Sequence, residues 1–393
     1  MENLWSHKFE WDSSISLEFP RTDNITTDLL CPMDEILVWC GHELTWEYLK
    51  SISPYDRDEI AKDVLNFFIE YDFTTAGFVE SDIAHDWQKL LEYTPKLEKI
   101  GDKTFISNSV SIGSRVYKSF FPNTIKTRSG GRRSIYDVLT DRVMLWKVIR
   151  NRMGNTLLYH PTDSISRMWP MDINPLAMIT GSKNSGYASM GSIFKSAVAK
   201  TVYNRWVKAG GKVVDYSCGF GTRLLGLEAL RNGAVYYGFE PNPETFANLN
   251  KMIDYFGFDA HILQCGSEEV WDWGEFDFAF SSPPYFNAEW YSDIGQCYLR
   301  FPEYNQWLEG YWRATIRNIY NALKSDGILG VNVGGQGNAK MVSYETDMRR
   351  IIEEEGFILV DEWWMKTSRS HLSGKKNTNK VNKLEGIFFY RKG

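Results

Sequence analysis

From Lys212 onward, short apolar runs alternate with amphipathic stretches. Residues 212–216, 235–239, 260–264 and 276–281 read as strands, and 222–231 and 243–256 as helices between them. Strands joined through helices pair in parallel, and their crossovers are right-handed. This rhythm confines the second half of the chain to an α/β architecture with a mostly parallel sheet. The pattern continues with a helix over Tyr304–Lys324, a fifth strand over Gly327–Val333 and a helix over Ser343–Glu355. Two last strands, Phe357–Lys366 and Glu385–Arg391, close the chain around a long loop. Ligands of open α/β sheets bind outside the carboxyl ends of the strands. The residues just after each strand are therefore the ones to read for chemistry.

Two such places stand out. After the first strand comes Asp215-Tyr216-Ser217-Cys218-Gly219-Phe220-Gly221-Thr222. Gly219 and Gly221 let a backbone approach a ligand closely and adopt unusual φ/ψ. Asp215, at the strand end, suits an amino group or an ordered water. Glu240 closes the next strand, where an acid commonly accepts hydrogen bonds from ribose hydroxyls. The spacing is not G-x-G-x-x-G, since the next glycine after Gly221 is Gly226. After the strand Phe276–Phe280 comes Ser282-Pro283-Pro284-Tyr285. Two prolines cannot continue a central strand, and they stiffen the turn while leaving its carbonyls free to accept. The Ser282 oxygen and a proline carbonyl can hold the hydrogens of an exocyclic amine on a planar base. Tyr285, with Phe286 beside it, offers a ring for the base to stack on.

D-x-x-x-G-x-G, then an acid after the second strand, then SPPY after a later strand, resembles the S-adenosylmethionine-dependent amino-methyltransferases that modify N6 of adenine or N4 of cytosine in DNA. The likeness spans roughly 186–392, and the phrase from Gly219 to Gly226 is also similar to DNA methylases of phages. It implies a Rossmann-like class I methyltransferase fold with a seven-stranded sheet whose last strand is antiparallel. It implies S-adenosylmethionine as cofactor, held by Asp215, Ser217, Gly219, Gly221 and Glu240. Phe194, in a helix expected over Met190–Trp206, is the aromatic candidate from the segment preceding the glycine turn. It gives Ser282, Pro283, Pro284 and Tyr285 the target base, which in a duplex must be flipped out at a cost of roughly a few kcal/mol. One departure stands after the third strand. The family often has an acid facing the adenine there, whereas this chain has Cys265, Gly266 and Ser267, with Glu268 and Glu269 just beyond. Related turns also serve RNA bases and a protein amide, so an RNA or protein amide N-methyltransferase is the rival enzyme. A non-catalytic nucleic-acid-binding protein that keeps the fold is the rival from another class.

The division expected is 1–185, a mainly helical accessory or recognition region, and 186–393, the methyltransferase domain. In the first part Asp34–Trp46, Arg57–Tyr71, Ala84–Tyr93 and Asp141–Arg152 carry helical periodicity, Thr104–Ser114 reads as strand or loop, and Tyr159–Met190 as loop. Neither gap around SPPY can hold a target-recognition domain, so specificity falls to the N-terminal half, to basic loops or to a partner, either a specificity protein or a second copy.

Net charge is -6, which counts against a protein that coats DNA with its whole surface. Nucleic acid would meet local basic patches: Arg132 and Arg133 in the loop Ser119–Arg133, and Arg369, Lys375, Lys376 and Lys380 in the acid-free loop 366–383. The five cysteines show no CxxC spacing, which points to a reducing compartment and no metal site. Without an apolar leader or a membrane-length run, a cytoplasmic location is expected. A role in restriction-modification or phage self-marking fits this reading.

Overall fold

The computed structural model describes residues 17–75, 77–154, 170–269, 272–334, 339–366 and 385–393. The chain divides into two compact units, Met1–Phe73 with Tyr136–Ala188, and Thr74–Ile135 with Ser189–Gly393. The sequence predicts a single cut after 185. The second unit instead also takes in the stretch 74–135, because two strands there pair with its sheet.

The first unit is mainly helical among its described residues. Pro54–Glu70 opens on the Ser53 cap, with Pro54 in its first turn, and packs against Arg142–Arg152. Arg150 Nε lies 2.9 Å from Asp58 Oδ1 between those helices. The helix expected over Asp34–Trp46 is not there. Val38–Trp39 and His42–Glu43 form a two-residue hairpin, turned by Cys40 and Gly41 at positive φ, and a helix begins only at Trp46. The loop expected over 159–190 contains the helix Pro175–Asn184, capped by Asn174.

The second unit is built on one nine-stranded sheet. Its strands are β1 (Leu97–Ile100), β2 (Lys103–Ser107), β3 (Lys212–Asp215), β4 (Val235–Phe239), β5 (Ala260–Leu263), β6 (Phe276–Ser281), β7 (Leu323–Val333), β8 (Phe357–Lys366) and β9 (Glu385–Lys392). The spatial order is β1-β2-β8-β9-β7-β6-β3-β4-β5. From β5 to β7 all neighbours are parallel, and β9 runs antiparallel to both β7 and β8. These seven strands are the Rossmann-like sheet expected, with its antiparallel last strand. The other two come from the N-terminal half: β2 adds in parallel to β8, and β1 closes back on β2.

The crossover helices follow from local chemistry. Asn242 accepts from the Thr245 N–H at 2.8 Å, with Pro243 in the first turn, and Gly257 ends that helix at φ 64°. The helix Ser196–Trp206 lies tightly on Thr222–Glu228, because Gly226 presents no side chain. A Cβ there would come 2.5 Å from Ala199 Cβ and 2.8 Å from Lys200 N. Residues 190–195, expected as part of that helix, are not helical. The helix expected over 304–324 carries a π turn over Trp307–Arg313, and the chain is already strand at Leu323. Trp307, Trp312 and Ile316 are fully buried in the same cluster as Phe276, Leu329 and Val331. Among the described residues no helix is long and apolar enough to cross a membrane.

Candidate functional site

The carboxyl ends of β3, β4, β6 and β7 open onto one cavity of about 390 Å³, within the ~300–1,000 Å³ range of small-molecule and cofactor sites. It brings together Ser217, Gly219, Glu240 and Phe194 with all four residues of Ser282–Tyr285. Asp215 and Gly221 do not line it.

Asp215 is placed otherwise than expected. Its carboxylate is fully buried and accepts from Arg223 Nε at 2.7 Å and Nη2 at 3.2 Å. It also accepts from the Tyr236 hydroxyl at 2.5 Å, the Ser281 hydroxyl at 2.7 Å and the Ser217 N–H at 3.1 Å. With five donors on two oxygens, no acceptor capacity is left for a ligand's amino group. Asp215 instead holds the turn in shape, and Arg223 faces the cavity in its place. Burial opposes the charge on Arg223, yet Asp215 and its hydrogen bonds raise its pKa above the ordinary range. Gly221, at φ 66°, is the hinge into the helix, where a Cβ would meet Met252 at 2.5 Å.

Glu240 stands at the cavity, where the sequence expects it. Its two oxygens accept from the Gly219 N–H at 3.0 Å and the Asn242 N–H at 2.9 Å, which fixes the carboxylate at the cavity wall. Burial pushes its pKa up to about 7, against the lowering effect of those two amides. Phe194 lies edge-on to Phe280, with ring centroids 5.5 Å apart, and under the Arg223 guanidinium at 5.8 Å. Ser217 Oγ donates to the Tyr216 carbonyl at 2.6 Å. Cys218 is buried with its thiol pKa raised by burial, which suits a packing residue.

The proline turn is clamped from below by Asn332, near the end of β7. Ser282 Oγ donates to Asn332 Oδ1 at 2.9 Å, while Asn332 Nδ2 donates to the Gly386 carbonyl at 3.0 Å. The Tyr285 hydroxyl donates to the Asn332 carbonyl at 3.1 Å and accepts from the Gly334 N–H at 2.9 Å. The Ser282 hydrogen is thereby used, and its oxygen stays available as an acceptor. Tyr285 is locked rather than free to swing. Phe286, expected as a second stacking ring, packs instead against Tyr304 and Trp307 and does not line the cavity.

Several cavity residues carry little local signal in the sequence. Glu289 accepts from the Ser192 N–H at 2.6 Å and from the Tyr291 hydroxyl. Glu385, the first residue of β9, has its pKa pushed up to about 7 by burial. Glu268 follows β5 and has a buried carboxylate. Arg300 Nη2 comes within 2.5 Å of it, yet neither oxygen has an aligned hydrogen bond. The segment 287–300 is tied down where Glu289–Trp290 pairs with Arg128–Ser129. Arg128 stacks on Trp290 at 4.6 Å.

Arg132 and Arg133 are exposed beyond that pairing, after Gly130 and Gly131 at φ 63° and 70°, and neither lines the cavity. Lys126 in the same loop is 3.3 Å from Glu244. Arg369, Lys375, Lys376 and Lys380 lie outside the described residues. No grouping of side chains among the described residues can hold a metal ion.

No protein-family model matches the chain, and no curated protein does. Solved structures do. A TehB-like SAM-dependent methyltransferase from Corynebacterium glutamicum is similar at 15% identity and TM-score 0.34, over 52% of this chain and 90% of that one. A SAM-dependent O-methyltransferase from Thermotoga maritima is similar at 15% identity and TM-score 0.36, over 56% and 72%. A SAM-dependent methyltransferase from Aquifex aeolicus is similar at 12% identity and TM-score 0.34, over 49% and 88%. Likenesses this slight say nothing of what the chain acts on, and the fold class rests on the strand order and directions described above.

Proposed function

We propose that the protein is an S-adenosylmethionine-dependent methyltransferase that modifies an exocyclic amine, N6 of adenine or N4 of cytosine, in DNA. One observation carries this reading. The glycine turn with its ribose-type acid and the Ser282–Tyr285 turn open into the same cavity, so a cofactor on one side faces a planar amine on the other.

The donor set suits the cofactor. Glu240 offers an acceptor for ribose hydroxyls, and the buried carboxylate of Glu268, beside Arg300, suits the amine of the adenine ring. Arg223, facing the cavity, suits the carboxylate end. When bound, S-adenosylmethionine supplies a methyl group on a good leaving group. The protein's remaining task is alignment of donor and acceptor. The Ser282 oxygen and the proline carbonyl accept the amine hydrogens, drawing the nitrogen away from conjugation with its ring. Tyr285, held by two hydrogen bonds, fixes the turn against which the base rests. The basic residues Arg132, Arg133, Arg369, Lys375, Lys376 and Lys380 are proposed as phosphate contacts.

The test is transfer of tritium from labelled S-adenosylmethionine to unmodified DNA, total RNA and a protein extract, followed by digestion to nucleosides or amino acids. Label in N6-methyladenine or N4-methylcytosine of DNA supports the proposal. Label confined to RNA or protein replaces its substrate, and absence of any cofactor binding removes it.

A further inference from the structure

Methylating a neutral amine leaves a nitrogen with one hydrogen too many, and something must take it. Ser282 is a poor acceptor for that proton, because a hydroxyl is not a base near neutral pH and its own hydrogen is committed to Asn332. Four carboxylates line the cavity: Glu240, Glu268, Glu289 and Glu385. Glu240 is bonded by two backbone amides, and Glu289 by a backbone amide and the Tyr291 hydroxyl. Glu268 faces Arg300. Glu385 is different. It enters from β9, whose next residue pairs with Val333 just past Asn332. A point off the Gly334 backbone lies 3.5 Å from the Tyr285 ring and 3.6 Å from Glu385 Oε1, so the carboxylate is beside the proline turn. The side-chain amide of Asn332, which organises that turn, donates at 3.0 Å to the carbonyl of Gly386, the residue next to Glu385.

Resting on the methyltransferase reading above, we infer that Glu385 is the catalytic base of the reaction. The nitrogen–carbon bond forms as the carbon–sulfur bond breaks, and the electron pair of the latter stays on sulfur. The nitrogen–hydrogen bond then gives its pair to nitrogen and its proton to Glu385 Oε, which passes it to solvent. The sequence offers this role to no residue of the turn itself, and supplies it from a strand about a hundred residues later.

Burial raises the affinity of Glu385 for a proton, the neighbouring Asn332 amide lowers it, and the charge of Glu289 raises it further, leaving it at about 7. The other titratable group at the turn is Tyr285, whose own pKa lies far above neutrality through burial and the Glu385 charge. Across the cavity stand Glu240, Glu268, Lys195, Arg223 and Arg300.

The test uses the full chain as wild type, Glu385→Gln and Glu385→Asp, with two readouts. The first is binding of sinefungin, a cofactor analogue with an amine in place of the transferable methyl group, relative to S-adenosylhomocysteine. In the wild type the preference for the amine should grow about tenfold as pH rises through 7, the worth of one added close charge pair. Glu385→Gln should flatten it, and Glu385→Asp keep part of it. The second is the single-turnover transfer rate, which should rise through pH 7 in the wild type and fall at least tenfold, without that rise, in Glu385→Gln. An unchanged preference and rate profile in Glu385→Gln overturns the inference while leaving the methyltransferase reading intact. If the wild type binds neither analogue, both fall together.

Discussion

Asp215 and Glu240 end adjacent strands, and both are buried, yet their neighbours give them opposite tasks. Asp215 spends every lone pair on its own protein, with Arg223 as its main partner at 5% side-chain exposure against 0% for Asp215. Asp215→Asn therefore leaves a buried guanidinium without its counter-charge. A loss of ~3–5 kcal/mol in stability is expected, read by urea unfolding, with cofactor affinity failing as a consequence rather than first. Glu240 keeps its carboxylate at the cavity wall, with a pKa near 7 against an ordinary 4.5. An ionised Glu240 is the better acceptor for ribose hydroxyls, so S-adenosylmethionine affinity should fall as pH drops below about 7, and Glu240→Gln should remove that slope in a titration by calorimetry. The sign for stability is the reverse. Because the folded state holds this proton more tightly than the unfolded chain, its stabilisation is complete below about 4.5 and is lost as pH rises through about 7. The sequence announces both acids equally. It holds no sign that Asp215 is taken by Arg223 eight residues on, since a spacing of eight across a turn reads the same whether or not the side chains meet.

At the scale of elements, the parallel strands were legible because each is a short apolar run bounded by turn residues, as in Val213-Val214 before Asp215 or Phe276–Phe280 before the prolines. The misread elements are those decided by partners far away in the chain. Val38–Trp39 has helical spacing around it but turns on Cys40-Gly41, and Leu97–Ile100 is a strand through its pairing with β2, which itself lies on β8. The π turn at Trp307–Arg313 is likewise invisible in a sequence whose apolar period is near that of an ordinary helix. Gly226 shows what tertiary packing asks of one position. Gly226→Val should force apart the helices Ser196–Trp206 and Thr222–Glu228, because the new side chain would come 2.8 Å from the Lys200 backbone nitrogen. Overpacking of this kind costs ~1–3 kcal/mol, and a lower thermal midpoint with weakened cofactor binding is the expected result.

For the whole molecule, the -6 net charge and a nucleic-acid substrate have to be reconciled. If DNA is the substrate, its attraction falls to a few basic residues rather than to a whole face. Replacing Arg369, Lys375, Lys376 and Lys380 together by alanine should weaken DNA binding uniformly across sequences. It should also flatten the salt dependence by up to ~0.9 in slope for each phosphate no longer neutralised. A fluorescence-anisotropy titration at several salt concentrations checks it, and an unchanged slope would move the phosphate-binding residues elsewhere. The candidate site was legible where it lies in turns after strands, as Gly219, Glu240 and Ser282–Tyr285 do. Asn332 and Glu385 were not, because the parallel pairing of β7 with β6 sets Asn332 beside the proline turn and the antiparallel pairing of β9 with β7 then brings in Glu385.

The central claim is that one cavity performs two separable tasks, cofactor binding on the Gly219–Glu240 side and amine capture at Ser282–Tyr285. The measurement that tests it most directly is a paired one on Ser282→Ala/Pro283→Ala: calorimetric binding of S-adenosylmethionine, and tritium transfer to DNA under single-turnover conditions. Binding within about threefold of wild type is predicted, together with a transfer loss of about a hundredfold or more, equivalent to ~2.7 kcal/mol of lost alignment. Transfer at the wild-type rate, or loss of binding in step with transfer, would contradict it.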